Sequence, residues 1–244
     1  MKFKNMKRFK NEKYNAWPEI NHSLKAEASD NGDSTKITIY GDIGESRWGE
    51  SVSASDVERI LKDVTTNTIH VHINSFGGDA FDGIAIYNQL KNHEAKIIIH
   101  VDGLAASAAS LIVMAGDEVI MNTGAMLMIH EASTFAWGTK ADIRKTLNAL
   151  EGIDKSIADI YMTRFKGERS EIDTLIANET WFTSDEAVEF GLADSLNENA
   201  DDEEDDVDVE EIKNSILNRL RNQNPPMVAS QENKSILNRF KRQS

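Results

Sequence analysis

The chain of 244 residues contains no cysteine. That excludes disulfide staples, thiolate metal sites and a cysteine nucleophile, and it fits a reducing compartment, so a cytoplasmic protein is expected. No apolar run approaches the roughly 20 residues that span a bilayer, so no membrane partner is expected. The basic start, Met1 to Lys10, lacks the continuous apolar core of a secretory signal. No Gly-rich phosphate loop ends in Gly-Lys-Ser/Thr and no histidine pair has ligand spacing, so no nucleotide or metal cofactor is expected. Basic residues are also outnumbered: 27 Lys and Arg face 41 Asp and Glu, for a net charge of −14. The acidic run from Asp201 to Glu211 supplies nine of those negative charges. Bulk nucleic-acid binding is therefore not expected. What remains is an ordinary globular composition, 40% hydrophobic, with ample length for a core.

The pattern divides the chain into three parts. Residues 1–34 are polar, with Trp17-Pro18 as the only obvious anchor, and read as an arm outside the core. Residues 35–197 alternate strand and helix signals: strands at Lys36–Tyr40, Thr68–Ile73, 96–101, 118–121 and 126–130. Between them fall a short helix capped by Ser53 or Ser55, and one with Phe81, Ile84, Ala85, Tyr87 and Leu90 on its apolar side. That order implies right-handed crossovers and a largely parallel sheet. From Thr139 to Phe165 the period becomes that of a long helix, roughly 40 Å at 1.5 Å per residue. Its stripe of Ile143, Leu147, Leu150, Ile153, Ile157 and Ile160 suits a partner, a second copy or its own domain. Short helices at about 170–178 and 184–190 lead to Gly191–Asp194. Residues 198–244 then form an acidic linker and a basic amphipathic tail, in which Ser215-Ile216-Leu217-Asn218-Arg219 returns as Ser235-Ile236-Leu237-Asn238-Arg239. Two copies are too few for a solenoid; they read as short docking elements or as a coincidence of composition.

The chemistry centres on Gly103–Ser110, which follows the apolar run Ile97–Val101. The spacing predicts a buried strand, a turn, and an alanine-rich helix with Ser107 in its first turn. Small neighbours leave the Ser107 hydroxyl approachable, and orphan N–H groups there favour an anion. A close-packed corner of small residues against a sheet would have the same composition. Of six histidines, His70, His72 and His100 lie inside strand patterns, and His22 and His93 in polar stretches. His130, ending the apolar run Ala125–Ile129, is the candidate base.

Four stretches in order are similar to the Clp-type serine peptidases, most closely those of tailed phages and prophages. They are Ile73-Asn74-Ser75-Phe76-Gly77-Gly78, Gly103-Leu104-Ala105-Ala106-Ser107, Met128-Ile129-His130 and Glu186–Asp194. The resemblance covers roughly residues 36–196. It implies an α/β fold of the crotonase/Clp-protease type, with the long helix as a protruding handle through which subunits pack. It implies Ser107 as nucleophile, His130 as general base, and the backbone N–H groups of Gly78 and Ala108 as the oxyanion hole. The third member falls on Glu179, where the family usually has aspartate; Asp173 or Asp185 are the alternatives. Phe76 stands where the family often has proline.

The expected function is a serine endopeptidase acting on protein or peptide substrates through an acyl-enzyme, with phage head maturation (scaffold or capsid processing) as the specific expectation. The resemblance implies a homo-oligomer, in rings, and leaves an ATPase partner open. A housekeeping Clp-like proteolytic subunit, a crotonase-type acyl-CoA enzyme and a non-catalytic assembly factor are the alternatives.

Overall fold

The computed structural model describes residues 20–29, 32–45 and 50–197. Most of the polar arm (1–19) and the tail with its repeated Ser-Ile-Leu-Asn-Arg segments (198–244) lie outside the described residues.

Alternating β-branched residues build the sheet. β1 (Ser23–Ala28) pairs antiparallel with β2 (Ser34–Ile43), which runs parallel to β3 (Thr68–Gly78) and, through it, to β4 (Lys96–Ala106). β5 (Glu118–Asn122) continues the parallel order on β4, and β8 (Ser195–Asn197) adds to β5. Ile37, Ile39, Ile69, Val71, Ile73, Ile97, Ile99 and Val101 point into one core and are at most 1% exposed. The opposite face of the same strands carries Thr38, Tyr40, His70, His72, His100 and Asp102, all half-buried. Period-two alternation thus places the strand histidines together on one face.

Between the strands lie α1 (Ala54–Lys62), α2 (Ala80–Lys91) and α3 (Ala108–Val113). Ser53 is the cap of α1, accepting from the Asp56 N–H in a capping box with the Asp56 carboxylate. All six residues of α3 are buried, as the alanine-rich run required.

β4 forks. Its first part, Ile98–Val101, pairs with β5, whereas its end, Leu104–Ala106, pairs with β6 (Met126–Ile129). β7 (Thr180–Thr183) runs antiparallel on the far side of β6. α4 (Lys140–Tyr161), α5 (Arg169–Ala177) and α6 (Ser184–Glu189) complete the described chain.

The structure corrects four expectations. β1 lies inside the stretch assigned to a polar arm, because Ser23–Ala28 finds a backbone partner on the edge of β2 that its composition does not announce. Phe81 is 64% exposed and Ile84 and Ala85 only half-buried; α2 buries Tyr87 and Leu90 as expected, together with Gly83 and Ile86. The long helix is 22 residues, capped by Thr139 and ending at Met162, so about 33 Å rather than 40 Å at 1.5 Å per residue. Only its last turns, at Ile157, Ala158, Ile160 and Tyr161, pack on the domain, whereas Ile143 and Leu147 are 48% and 54% exposed. Finally, β4 continues through Ala106, so Ser107 is the residue before α3 rather than part of its first turn.

Candidate active site

Three neighbouring strand ends bring the site together. In the parallel β4–β6 pair, Ala106 stands beside Met128, so Ser107 and His130 leave the sheet at the same end. The Ser107 N–H donates to the Met128 carbonyl at 2.9 Å, locking that registration. In the antiparallel β6–β7 pair, Ile129 stands opposite Thr180, so His130 and Glu179 each adjoin the last pair of that ladder.

Ser107 adopts φ 54° and ψ −125°. A β-carbon makes a positive φ costly, of order 1–3 kcal/mol. Among the described residues the only other non-glycine with positive φ is Glu179, at 51°. Both strained residues thus fall among the candidate site residues. Ser107 makes no side-chain cap to α3, although serine at a helix start ordinarily does. Its Oγ instead lies 2.7 Å from Nε2 of His130. In the tautomer in which Nε2 accepts from the serine, the ring proton sits on Nδ1.

The glycine pair borders the serine. A Cβ on Gly77 (φ 90°) would lie 2.4 Å from the Ala106 carbonyl oxygen and 2.8 Å from both the Ala108 nitrogen and the Ser107 Cβ. Only glycine allows β3 to approach the serine turn this closely. Gly78 (φ 154°) is pressed against β2, where a Cβ would meet the Ile43 carbonyl oxygen at 2.0 Å. Ala108 is buried at the first position of α3. The Gly77 N–H donates to the Oγ of fully buried Ser75 at 2.9 Å, which fixes the loop. Ser75 is the residue to which sequence reasoning gave no role, although the quoted run Ile73–Gly78 contains it.

The alternative carboxylates lie elsewhere. Asp173 is exposed on α5 and paired with Arg169 at 2.8 Å, and Asp185 is exposed in the first turn of α6. Of the three, Glu179 alone directly adjoins the Ile129–Thr180 pair that ends the β6–β7 ladder.

The strand histidines form a separate network. His70 Nδ1 lies 3.0 Å from His100 Nε2, the His72 and His100 rings stack at 4.5 Å, and His72 Nδ1 lies 2.9 Å from Asp102. Tyr40 donates to Asp102 at 2.5 Å, and Asn122 to its other oxygen at 2.6 Å. Burial, then the neighbouring imidazoles, pushes His100 down to about 4. Burial, then the Asp102 bond, pushes the Tyr40 hydroxyl up to about 12. Among the described residues no group of three or more His, Cys, Asp or Glu is arranged to hold a metal ion, and no helix is long and apolar enough to cross a membrane.

Comparison with known sequences places the chain. The sequence model of the Clp protease family matches residues 37–200, which include every residue of the site, and the chain belongs to that family. Curated relatives include the ATP-dependent Clp protease proteolytic subunit of Chlamydomonas reinhardtii, 29% identical over 150 residues, or 61% of this chain but only 29% of the relative. Proteolytic subunit 1 of Chlamydia abortus is 31% identical over 128 residues, covering 51% of this chain and 67% of the relative. Proteolytic subunit 1 of Leifsonia xyli is 28% identical over 134 residues, covering 54% and 68%. The chain thus spans less than a third of the Chlamydomonas protein and about two thirds of the two bacterial ones.

Proposed function

We propose that the chain is a serine endopeptidase in which Ser107 is the nucleophile, His130 the general base and Glu179 the group that orients the histidine. The observation that carries this is the 2.7 Å contact between Ser107 Oγ and His130 Nε2, made by a serine held at positive φ. His130 takes the Oγ proton as the oxygen adds to a peptide carbonyl, and the imidazolium then protonates the departing amine. Water, deprotonated by the same histidine, hydrolyses the acyl-enzyme. Glu179 balances the positive charge on His130 and favours the tautomer with Nδ1 protonated. The backbone N–H groups of Gly78 and Ala108 stabilise the oxyanion; the close approach of Gly77, the residue before Gly78, to the Ala108 nitrogen supports that role.

A fluorophosphonate probe, read by intact mass, tests the assignment. Wild-type protein is expected to take up one adduct and the Ser107→Ala variant none. A folded wild type that takes up no probe would overturn it and favour the thioester chemistry of the crotonase-type enzymes or a non-catalytic assembly role.

The substrates are proteins or peptides, and the working form is a homo-oligomer, in rings, with α4 as the packing element. Names of the curated relatives favour a proteolytic subunit served by a separate ATPase. Processing of scaffold or capsid protein during phage head assembly is the narrower reading, supported by the acidic and basic segments beyond residue 200. The two readings differ in whether cleavage of a folded protein waits on an added unfolding ATPase.

A further inference from the structure

The carbonyl of Ser107 is held from behind by a buried chain of hydroxyls. It accepts from the Ser110 N–H at 2.9 Å, as the first bond of α3 requires, and also from the Ser110 Oγ at 2.6 Å. The Ser110 Oγ lies in turn 2.7 Å from the hydroxyl of Tyr161, on the last turn of α4. Ser110 is 0% and Tyr161 1% exposed. A carbonyl only accepts, so the single Ser110 proton goes to Ser107, and Tyr161 must donate to Ser110. Burial raises the Tyr161 pKa well above its ordinary value, which keeps that donor protonated. The direction of the chain is therefore fixed: Tyr161 to Ser110 to the backbone of Ser107.

The strain of Ser107 gives this chain its purpose. At φ 54° and ψ −125° the residue pays for a conformation that relaxation of its own peptide groups would relieve. Its N–H is held by Met128 on one side. On the other side its carbonyl is held by both donors of Ser110, one of them backed by α4. A second contact ties α4 to the same site: Asp154 accepts from the N–H of Ala132, two residues past His130, at 2.8 Å. The base of α4 thus buttresses the backbone on both sides of the Ser107–His130 contact.

We propose that Ser110 and Tyr161 are positioning residues for the reaction: their hydroxyl chain holds the Ser107 backbone in its strained conformation, with Oγ in reach of His130. The proposal rests on Ser107 being the nucleophile. It also assigns the last turn of α4 a role in the chemistry, apart from any role of its exposed half in packing subunits.

The test compares wild type, Tyr161→Phe, Ser110→Ala and the double variant as full-length chains. It reads three quantities: the rate of fluorophosphonate labelling, kcat and KM on a fluorogenic peptide, and Tm. Tyr161→Phe removes one oxygen and keeps the ring, so it spares the packing. Ser110→Ala leaves the Tyr161 hydroxyl buried without its acceptor and lowers Tm; the double variant removes both groups and recovers much of that loss. Labelling rate and kcat are expected to fall about ten- to a hundredfold in Ser110→Ala and to stay low in the double variant, with KM little changed. Tyr161→Phe is expected to show a smaller loss of the same kind. Recovery of labelling together with Tm in the double variant would overturn the proposal, because the hydroxyls would then serve stability alone. So would wild-type labelling rates in all three variants. If wild type is not labelled while remaining folded, the assignment of Ser107 fails first and takes this one with it; the Ser107→Ala control separates the two failures.

Discussion

Ser107 and Glu179 share a property unusual for residues with a side chain, a positive φ, and they stand on the two strand ends that flank His130. Such strain persists only where the surroundings over-determine it, and here the surroundings are two ladders meeting at β6. Glu179 is one methylene longer than the aspartate that the sequence resemblance leads one to expect, and the turn at φ 51° sets where its backbone begins. The role assigned to it gives a sharp expectation. Glu179→Gln keeps size and shape but cannot balance an imidazolium, so kcat should fall roughly a hundredfold or more with KM little changed. Steady-state kinetics on a fluorogenic peptide check this. An unchanged kcat would remove Glu179 from the site.

At the level of elements, the sheet carries a titrating face. His70, His72, His100 and Asp102 are neighbours across β3 and β4, joined by Tyr40 from β2 and Asn122 from β5. His100 has its pKa lowered from 6.5 to about 4, chiefly by burial and then by His72 and His70; Asp102 and Glu118 pull the other way. His70 is lowered as well, again mainly by burial. Folding therefore favours the neutral imidazoles. A base whose folded pKa lies below its unfolded one leaves stability intact above about 6.5. That stability is lost as the pH falls from there toward 4, because the unfolded chain takes up protons that the folded chain refuses. Asp102, whose hydrogen bonds from His72 and Tyr40 outweigh burial and hold its carboxyl below the ordinary value, adds a loss of the same sign at lower pH. Thermal melts between pH 7 and pH 4 should show Tm falling on acidification. In His100→Gln the fall should be shallower. Equal slopes in both proteins would dismiss the histidine face as its source.

For the whole molecule, the question is what covers the outer part of α4. A 22-residue helix buries only its last turns in the domain, and Ile143 and Leu147 remain half exposed in the single chain. Together with the homo-oligomer proposed above, this predicts that Ile143→Glu with Leu147→Glu lowers the assembly state without unfolding the domain. Light scattering coupled to size exclusion reads the mass, and circular dichroism the fold. An unchanged mass would mean that subunits associate elsewhere. The same variant sets α4's outer half apart from its base, since labelling of Ser107 in the dissociated subunit reports whether Tyr161 still supports the site.

Much of this was legible in the residues alone. β-branched alternation predicts the strands of the parallel sheet, the serine-rich cap at Ser53 predicts α1, and the alanine run predicts a wholly buried α3. The resemblance in motif order singles out Ser107 and His130; small neighbours and a strand-end histidine, read alone, suit a close-packed corner as well. Distant pairing is not local, and it decided the rest. Nothing in Ser23–Ala28 announces that it will pair with β2. The fork in β4 exists only because two different strands, β5 and β6, compete for its two halves. That fork sets the serine beside the histidine, and the antiparallel addition of β7 ends its ladder at Ile129–Thr180, next to His130 and to Glu179, 49 positions further along the chain. Ser110 stands one helical turn past Ser107 and had a local signal, but Tyr161 had none. Its hydroxyl reaches Ser110 across 51 positions of sequence because helix packing brings together residues whose spacing carries no period.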